Sequence, residues 1–210
     1  ITAMSTYHFT SSEEHKKRVI DIIGTDKNVF NVGTLSLEFI NDLNITPKHT
    51  NNILFCYHPE TVNLNNEESI NDVCDALDSI DATFTVLLPN NDTDHNVVRD
   101  IIQKRLVGSK YKISKALSYN EYYTELANCK CMLGNSSSGI YEAASFGKYA
   151  INIGDRQKGR NTGGNVVHCS ISKDEIIKSY NKIDSLGEWR GGNIYYKPET
   201  SNKIIKVINE

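Results

Sequence analysis

Short apolar runs alternating with amphipathic stretches predict an α/β chain, a parallel sheet with helices on both faces. Three observations carry this. Ile53-Leu54-Phe55-Cys56-Tyr57 and Phe84 to Leu88 are continuous apolar runs, the pattern of strands buried on both faces. Between and after them, apolar residues recur at helical spacing: Ile70, Val73, Leu77 and Ile80, then Val97, Val98, Ile101, Ile102 and Leu106. Helix-start signals keep the same rhythm, with Ser11/Glu14, Ser118/Glu121 and Ser172/Glu175 each at capping-box spacing.

In order, Tyr7 to Thr10 reads as a short strand. Ser11 opens a helix carrying Val19, Ile20 and Ile23, and Gly24 ends it. Val29 to Val32 is a brief strand, Gly33 turns into a short helical piece through Leu37 and Ile40, and a polar loop spans Pro47 to Asn52. The helix begun at Ser118 turns Tyr122 and Leu126 inward. A strand at Met132 runs through a serine turn into a helix reaching Phe146, followed by strands at Tyr149 to Ile153 and at Val166-Val167. Ile176, Ile177 and Tyr180 mark one more helix, and Ile204, Ile205 and Ile208 the last. No internal repeat stands out, and Gly191-Gly192 is the best hinge candidate.

The chain's 210 residues suit one large α/β domain or a domain and a half, and 39% hydrophobic content supplies a core. A formal charge of −3 leaves no electrostatic footprint for nucleic acid. No basic run suggests a membrane patch, no apolar stretch approaches the roughly 18 residues of a span, and no signal peptide is visible. A cytoplasmic location is expected. The cysteines number five at irregular spacing, which argues against a disulfide framework and for a reducing compartment. Cys129-Lys130-Cys131 lacks the two-residue gap of zinc knuckles and has no histidine pair, so no metal site is expected. The chain opens on Ile1 rather than Met, and Ile1 to Ser5 reads as the tail of an element. Residues 1–10 are therefore taken as the remnant of a preceding domain or connection, and 11–210 as one binding domain.

Parallel sheets bind ligands at the carboxyl ends of their strands, and His58, Asn90, Ser136 and Arg156 each follow a predicted strand. Most informative is Gly134-Asn135-Ser136-Ser137-Ser138-Gly139-Ile140-Tyr141-Glu142, a strand passing through small residues into a helix start. Amides of a first helical turn lack intrahelical partners, small residues admit a phosphate closely, and serine hydroxyls add donors. Glu142, four residues past Ser138, leans back toward such an anion, where a carboxylate suits ribose hydroxyls. The plain alternative is a capped helix. His58 leaves a buried strand where an imidazole can donate to phosphate or move a proton; alternatively it is a rim residue bonded to a loop carbonyl. Gly154-Asp155-Arg156-Gln157-Lys158-Gly159-Arg160 is a basic loop suited to bidentate phosphate recognition, or simply a solvated one. Pro89-Asn90-Asn91-Asp92 reads first as an Asx turn, and Trp189 and the tyrosines as packing.

The segments HFTSSEEHKKRVI, VFNVGTLSLEFI, YHPET, LPNND, MLGNSSSGIYEAASFG, INIGDRQKGRNTGGNVVH and KPETSNKIIKVI resemble, collinearly and over nearly the whole chain, the hydrolysing UDP-N-acetylglucosamine 2-epimerases of sialic and nonulosonic acid pathways. The resemblance implies a GT-B architecture, two Rossmann-like domains facing across a cleft, with this chain the C-terminal, UDP-binding half. It implies that Ser136, Ser137, Ser138, Gly139 and Glu142 hold UDP, with Glu142 on the ribose. Arg156 contacts the phosphates, Asn90 lines the pocket, and His58 sits beside the pyrophosphate as the catalytic candidate. Leu117-Ser118-Tyr119 occupies the uracil position, with Ser118 where the family commonly has proline.

The implied reaction eliminates UDP to a glycal and hydrates it to N-acetylmannosamine, using carboxylates of a first domain that this chain lacks. The half-enzyme is expected to hold UDP or a UDP-N-acetylhexosamine, to need no cofactor, and not to turn over alone. The partners it is expected to have are the missing N-terminal domain and, in full-length form, a second copy; nucleic acid and membrane are not expected. The rival readings are a GT-B glycosyltransferase, which the histidine after Tyr57 and the RQKGR loop argue against, and a non-catalytic nucleotide-sugar sensor.

Overall fold

The computed structural model describes residues 1–43, 45–48, 50–60, 65–91 and 93–209, Asn41 by its backbone only. His49, Thr61 and Asp92, each within a segment singled out above, lie outside the described residues. In chain order the elements are β1 (His8–Thr10), α1 (Glu13–Ile23), β2 (Val29–Asn31), α2 (Leu35–Glu38), β3 (Asn52–Cys56) and α3 (Asn66–Ser79). β4 (Thr83–Leu87), α4 (His95–Arg105), β5 (Tyr111–Ser114), α5 (Tyr119–Asn128), β6 (Cys131–Gly134) and α6 (Ser138–Tyr141) follow. The remainder is β7 (Tyr149–Ile153), β8 (Val166–Cys169), α7 (Lys173–Leu186) and α8 (Thr200–Asn209). No described helix is long and apolar enough to cross a membrane.

The chain divides into two compact units, Ile1–Asn44 with Gly192–Glu210, and Ile45–Gly191. The division does not fall at residue 10. Thr10 closes β1, which pairs in parallel with β2 through Phe9↔Phe30 and Thr10↔Asn31, so strand pairing holds residues on both sides of that point in one unit. The other boundary falls between Gly191 and Gly192.

In the first unit, α1 starts one residue later than its sequence signal. Ser12 is the cap, its Oγ accepting the His15 N–H at 3.2 Å, while Ser11 Oγ meets His15 Nδ1 at 2.9 Å. Gly24, with φ 74°, closes the helix in the left-handed conformation. Helix α8 is tied to α2 by Ser201, whose N–H and Oγ donate to the Glu38 carboxylate at 3.0 and 2.9 Å.

The second unit is built on a six-stranded, all-parallel sheet ordered β5-β4-β3-β6-β7-β8. Alternation along each strand sorts the core into two layers. Ile53, Phe55, Phe84, Val86, Cys131, Leu133, Ile151 and Ile153 face α3, α4 and α7, meeting Ile70, Val73, Leu77, Val98, Ile102, Ile176 and Ile183. On the opposite side, α5 packs on β3, and α6 on β7. Each fully buried Ile, Leu or Phe stabilises the sheet by about 1.5–3 kcal/mol. The Rossmann-like sheet with helices on both faces expected from the sequence is present. The edge strand β5 was not expected.

Candidate functional site

From β3 the chain runs outward to β4 and β5, then returns to β6 on the other side of β3 and continues to β7 and β8. The strand order therefore reverses between β3 and β6, and a parallel sheet opens a crevice beyond the carboxyl ends at such a point. His58 and Ser136 stand on its two sides. Register pairs Cys56 with Gly134, and Gly134 has φ 136°. A Cβ there would overlap the Cys56 carbonyl oxygen, so only glycine lets the two strand ends close up.

Asn135, fully buried, ties the ends together. Its Nδ2 donates to the His58 carbonyl at 2.8 Å and its Oδ1 accepts the His58 N–H at 2.7 Å. Its own carbonyl accepts from Arg156 Nη1 at 3.1 Å and Gln157 Nε2 at 2.7 Å. The guanidinium after β7 thus reaches back to the residue preceding Ser136. Glu60, buried, fixes the same loop from below, its Oε1 accepting the Asp155 and Arg156 N–H groups at 2.7 and 3.2 Å. Gly154, at φ 75°, leaves the room that Glu60 Oε1 fills. Asn66 in turn orients Glu60, its Oδ1 accepting the Glu60 N–H at 2.8 Å.

His58 is 4% exposed. Its Nδ1 accepts the Asn90 N–H at 3.4 Å, which puts the ring proton on Nε2, 3.4 Å from Cys56 Sγ. Burial pushes the Cys56 thiol up to about 11, against the pull of the Ser136 hydroxyl and the Arg156 charge, so the thiol is neutral at pH 7. Asn90 itself is exposed, and it meets His58 through its main-chain N–H rather than its side chain.

The serine turn differs from the long helix expected. Only Ser138–Tyr141 is α-helical, and Ala143–Phe146 continues as a 3-10 turn, with Gly147 at φ 69° ending it. The Ser138 N–H points at Ser136 Oγ, 3.4 Å away, so the crevice offers first-turn amides and hydroxyls rather than a long helix's dipole. Glu142 is half-buried, and its charge is felt by both Tyr122 and Tyr123 of α5. Tyr119 is exposed and packs edge-on to Tyr123 with centroids 4.6 Å apart, and Leu117 is half-buried in the loop before it.

Hydrogen bonds therefore link His58 with Asn90, and join His58 to Arg156 through Asn135, beside Ser136. Tyr119 packs on Tyr123, which feels the Glu142 charge, and among the described residues no hydrogen bond brings Leu117 to the set. Along the basic loop an open cavity of roughly 500 Å³ is lined by Asn152, Gln157, Lys158, Arg160 and His168. The carbonyl oxygens Asn152 Oδ1 and Gln157 Oε1 are buried without a hydrogen-bond partner among the described residues. Asn135, Glu60 and Gln157 were missed in the sequence. Asn135 sat in the quoted motif without a role, and Glu60 followed His58 by two residues without drawing notice.

The family model for UDP-N-acetylglucosamine 2-epimerase matches residues 1–209. This chain belongs to that family. A UDP-N,N'-diacetylbacillosamine 2-epimerase (hydrolyzing) of Legionella pneumophila is 29% identical over 99% of the chain and 58% of its own length. The polysialic acid biosynthesis protein P7 of Escherichia coli is 32% identical over 100% of the chain and 58% of its own length. The chain thus spans between half and two thirds of these relatives. Among solved structures, the S. aureus MnaA–UDP co-structure superposes with a TM-score of 0.78 at 13% identity, over 99% of this chain and 60% of that one. UDP-GlcNAc 2-epimerase from Neisseria meningitidis bound to UDP-GlcNAc gives 0.77 at 16%, over 99% and 62%. These neighbours are of GT-B type, the fold class the sequence implied.

Proposed function

We propose that this chain is the C-terminal, UDP-binding half of a cytoplasmic hydrolysing UDP-N-acetylhexosamine 2-epimerase. One observation carries the reading: the Arg156 guanidinium is hydrogen-bonded to Asn135 O, directly before the half-buried hydroxyl turn at Ser136 and beside the His58 imidazole. A cation, first-turn amides and an imidazole converge where a parallel sheet takes its ligand, a set suited to a diphosphate. In this reading Arg156 and the Ser136, Ser137, Ser138 and Gly139 turn hold the pyrophosphate, and Glu142 holds the ribose. Leu117 and Tyr119 border the uracil, and Asn90 steadies His58 near the leaving phosphate.

Elimination breaks the bond between the sugar's anomeric carbon and UDP and removes the C2 proton; water then adds across the glycal. The guanidinium, amides and imidazole named here stabilise the departing UDP, whereas the carboxylates that act on the ring belong to another part of the enzyme. Several apolar side chains of the first unit fit a protein with more chain to pack there: Ile22, Ile205 and Ile208 are 63%, 55% and 63% exposed.

Calorimetric titration with UDP tests the proposal. Arg156→Ala and Glu142→Ala should each weaken UDP by about tenfold or more, roughly 1.4 kcal/mol. Unchanged affinity in both variants overturns it. In a protein that also carries the N-terminal half, UDP-N-acetylglucosamine or its 2,4-diacetamido counterpart should yield the free 2-epimeric sugar without an acceptor.

A further inference from the structure

The opposite edge of the second unit's sheet holds a different cavity. The amino ends of β3, β6 and β7 and the last turns of α7 enclose a space of roughly 370 Å³. That volume lies in the range of small-molecule pockets, about 300–1,000 Å³. Tyr149, Tyr180 and Ile183 form apolar and aromatic walls, and Lys148 lines the space among them. None of these residues takes part in the crevice at the carboxyl ends.

Lys148 is the unusual group. Its side chain is 2% exposed, and its Nζ lies 3.8 Å from Glu188 Oε1, beyond hydrogen-bonding distance, with no closer partner among the described residues. An ammonium has three donors and no acceptor, so at this distance from Glu188 it can still donate to an oxygen brought into the cavity it lines. The cavity's other cation is differently placed: Lys130 Nζ bonds Tyr180 Oη at 3.2 Å and pairs with Asp184. The cavity therefore presents one ammonium, loosely paired with Glu188 and able to take a further oxygen, framed by aromatic surface. Asp184 and Glu188 also line it and balance the two lysines, so a dianion such as phosphate meets repulsion that a monoanion largely escapes.

We propose that this cavity is a second ligand site, for a small monocarboxylic acid with an aromatic or apolar body. The carboxylate accepts from Lys148 Nζ, and the body lies among Tyr149, Tyr180 and Ile183.

Benzoate is the probe, titrated into the chain by saturation-transfer NMR and calorimetry, with benzyl alcohol and inorganic phosphate as controls. Saturable benzoate binding is expected, undisturbed by UDP, with both controls weaker. Lys148→Met keeps the stem and removes the charge, and should weaken benzoate by about tenfold or more. Glu188→Gln, at a side chain 41% exposed, removes a repelling carboxylate and should tighten benzoate severalfold. This second variant decides the matter should Lys148→Met fail to fold. Absence of saturable binding, equal affinity in wild type and Lys148→Met, weaker binding in Glu188→Gln, or displacement by UDP would each overturn the proposal.

Discussion

Completely buried, Asn135 exchanges two hydrogen bonds with the His58 backbone while its carbonyl receives Arg156 and Gln157. Replacing it by alanine strands the His58 N–H and C=O in a dry environment as well as removing two bonds. Asn135→Ala should therefore lower unfolding free energy by about 2–4 kcal/mol, read by urea denaturation. Asn135→Asp retains an acceptor for the His58 N–H and should cost less. An effect below that of an average surface substitution for Asn135→Ala would show that the clamp is absent in solution. Cys56 gives a second residue-scale expectation. With its thiol buried and held near 11, it should resist iodoacetamide in the native protein at pH 8, whereas Cys169, the one cysteine that is not buried, should react first. The positions of His58, Asn90, Ser136 and Arg156 after strands were legible from the chain. The roles of Asn135 and Glu60 were not, because both work through backbone groups of residues distant in sequence, which no local spacing encodes.

At the scale of elements, β6 depends on closeness to β3. Gly134→Ala would force a Cβ into the Cys56 carbonyl and a side-chain-bearing residue into φ 136°, and should destabilise by about 2 kcal/mol or more. By contrast α5 is set by its own sequence. Ser118 and Glu121 form the full reciprocal capping box, and Ser118→Ala should cost about 1 kcal/mol, a change in thermal midpoint that calorimetry resolves. The same spacing was one residue early at Ser11, where the next serine takes the cap, and right at Ser172, which is the N-cap of α7, though without a side-chain cap bond. Strand β5 escaped notice because Tyr111-Lys112-Ile113-Ser114 is short and half polar, as edge strands are. The serine helix was expected to run to Phe146. Its tightening into a 3-10 turn after one α-turn has no local signal, since alanines, serine and phenylalanine fit either form.

All five cysteines lie in the unit Ile45–Gly191, and burial raises each of them, Cys56 and Cys169 to about 11, Cys74 and Cys129 to about 12, and Cys131 further still. In the unfolded chain these thiols lose their protons near the ordinary value of 9.0. Above that value the native state binds more protons than the unfolded one, so stability falls as pH rises. The unit should hold a constant urea midpoint through neutral pH and lose stability progressively from pH 9 to beyond 11. A midpoint that stays level across that window would mean the thiols are open to solvent.

The sequence alone settled the class of fold, the order of most elements and which loops follow strands, because hydrophobic period and capping chemistry act within a few residues. It also carried the family, through motifs whose residue order survives without any knowledge of shape. Only the tertiary structure decided that the sheet reverses between β3 and β6, that Asn135 joins His58 to Arg156, and that a buried Lys148 faces a cavity at the far edge. Those facts depend on which strands lie side by side and on what burial does to a charge. Both are fixed by packing between segments tens of residues apart.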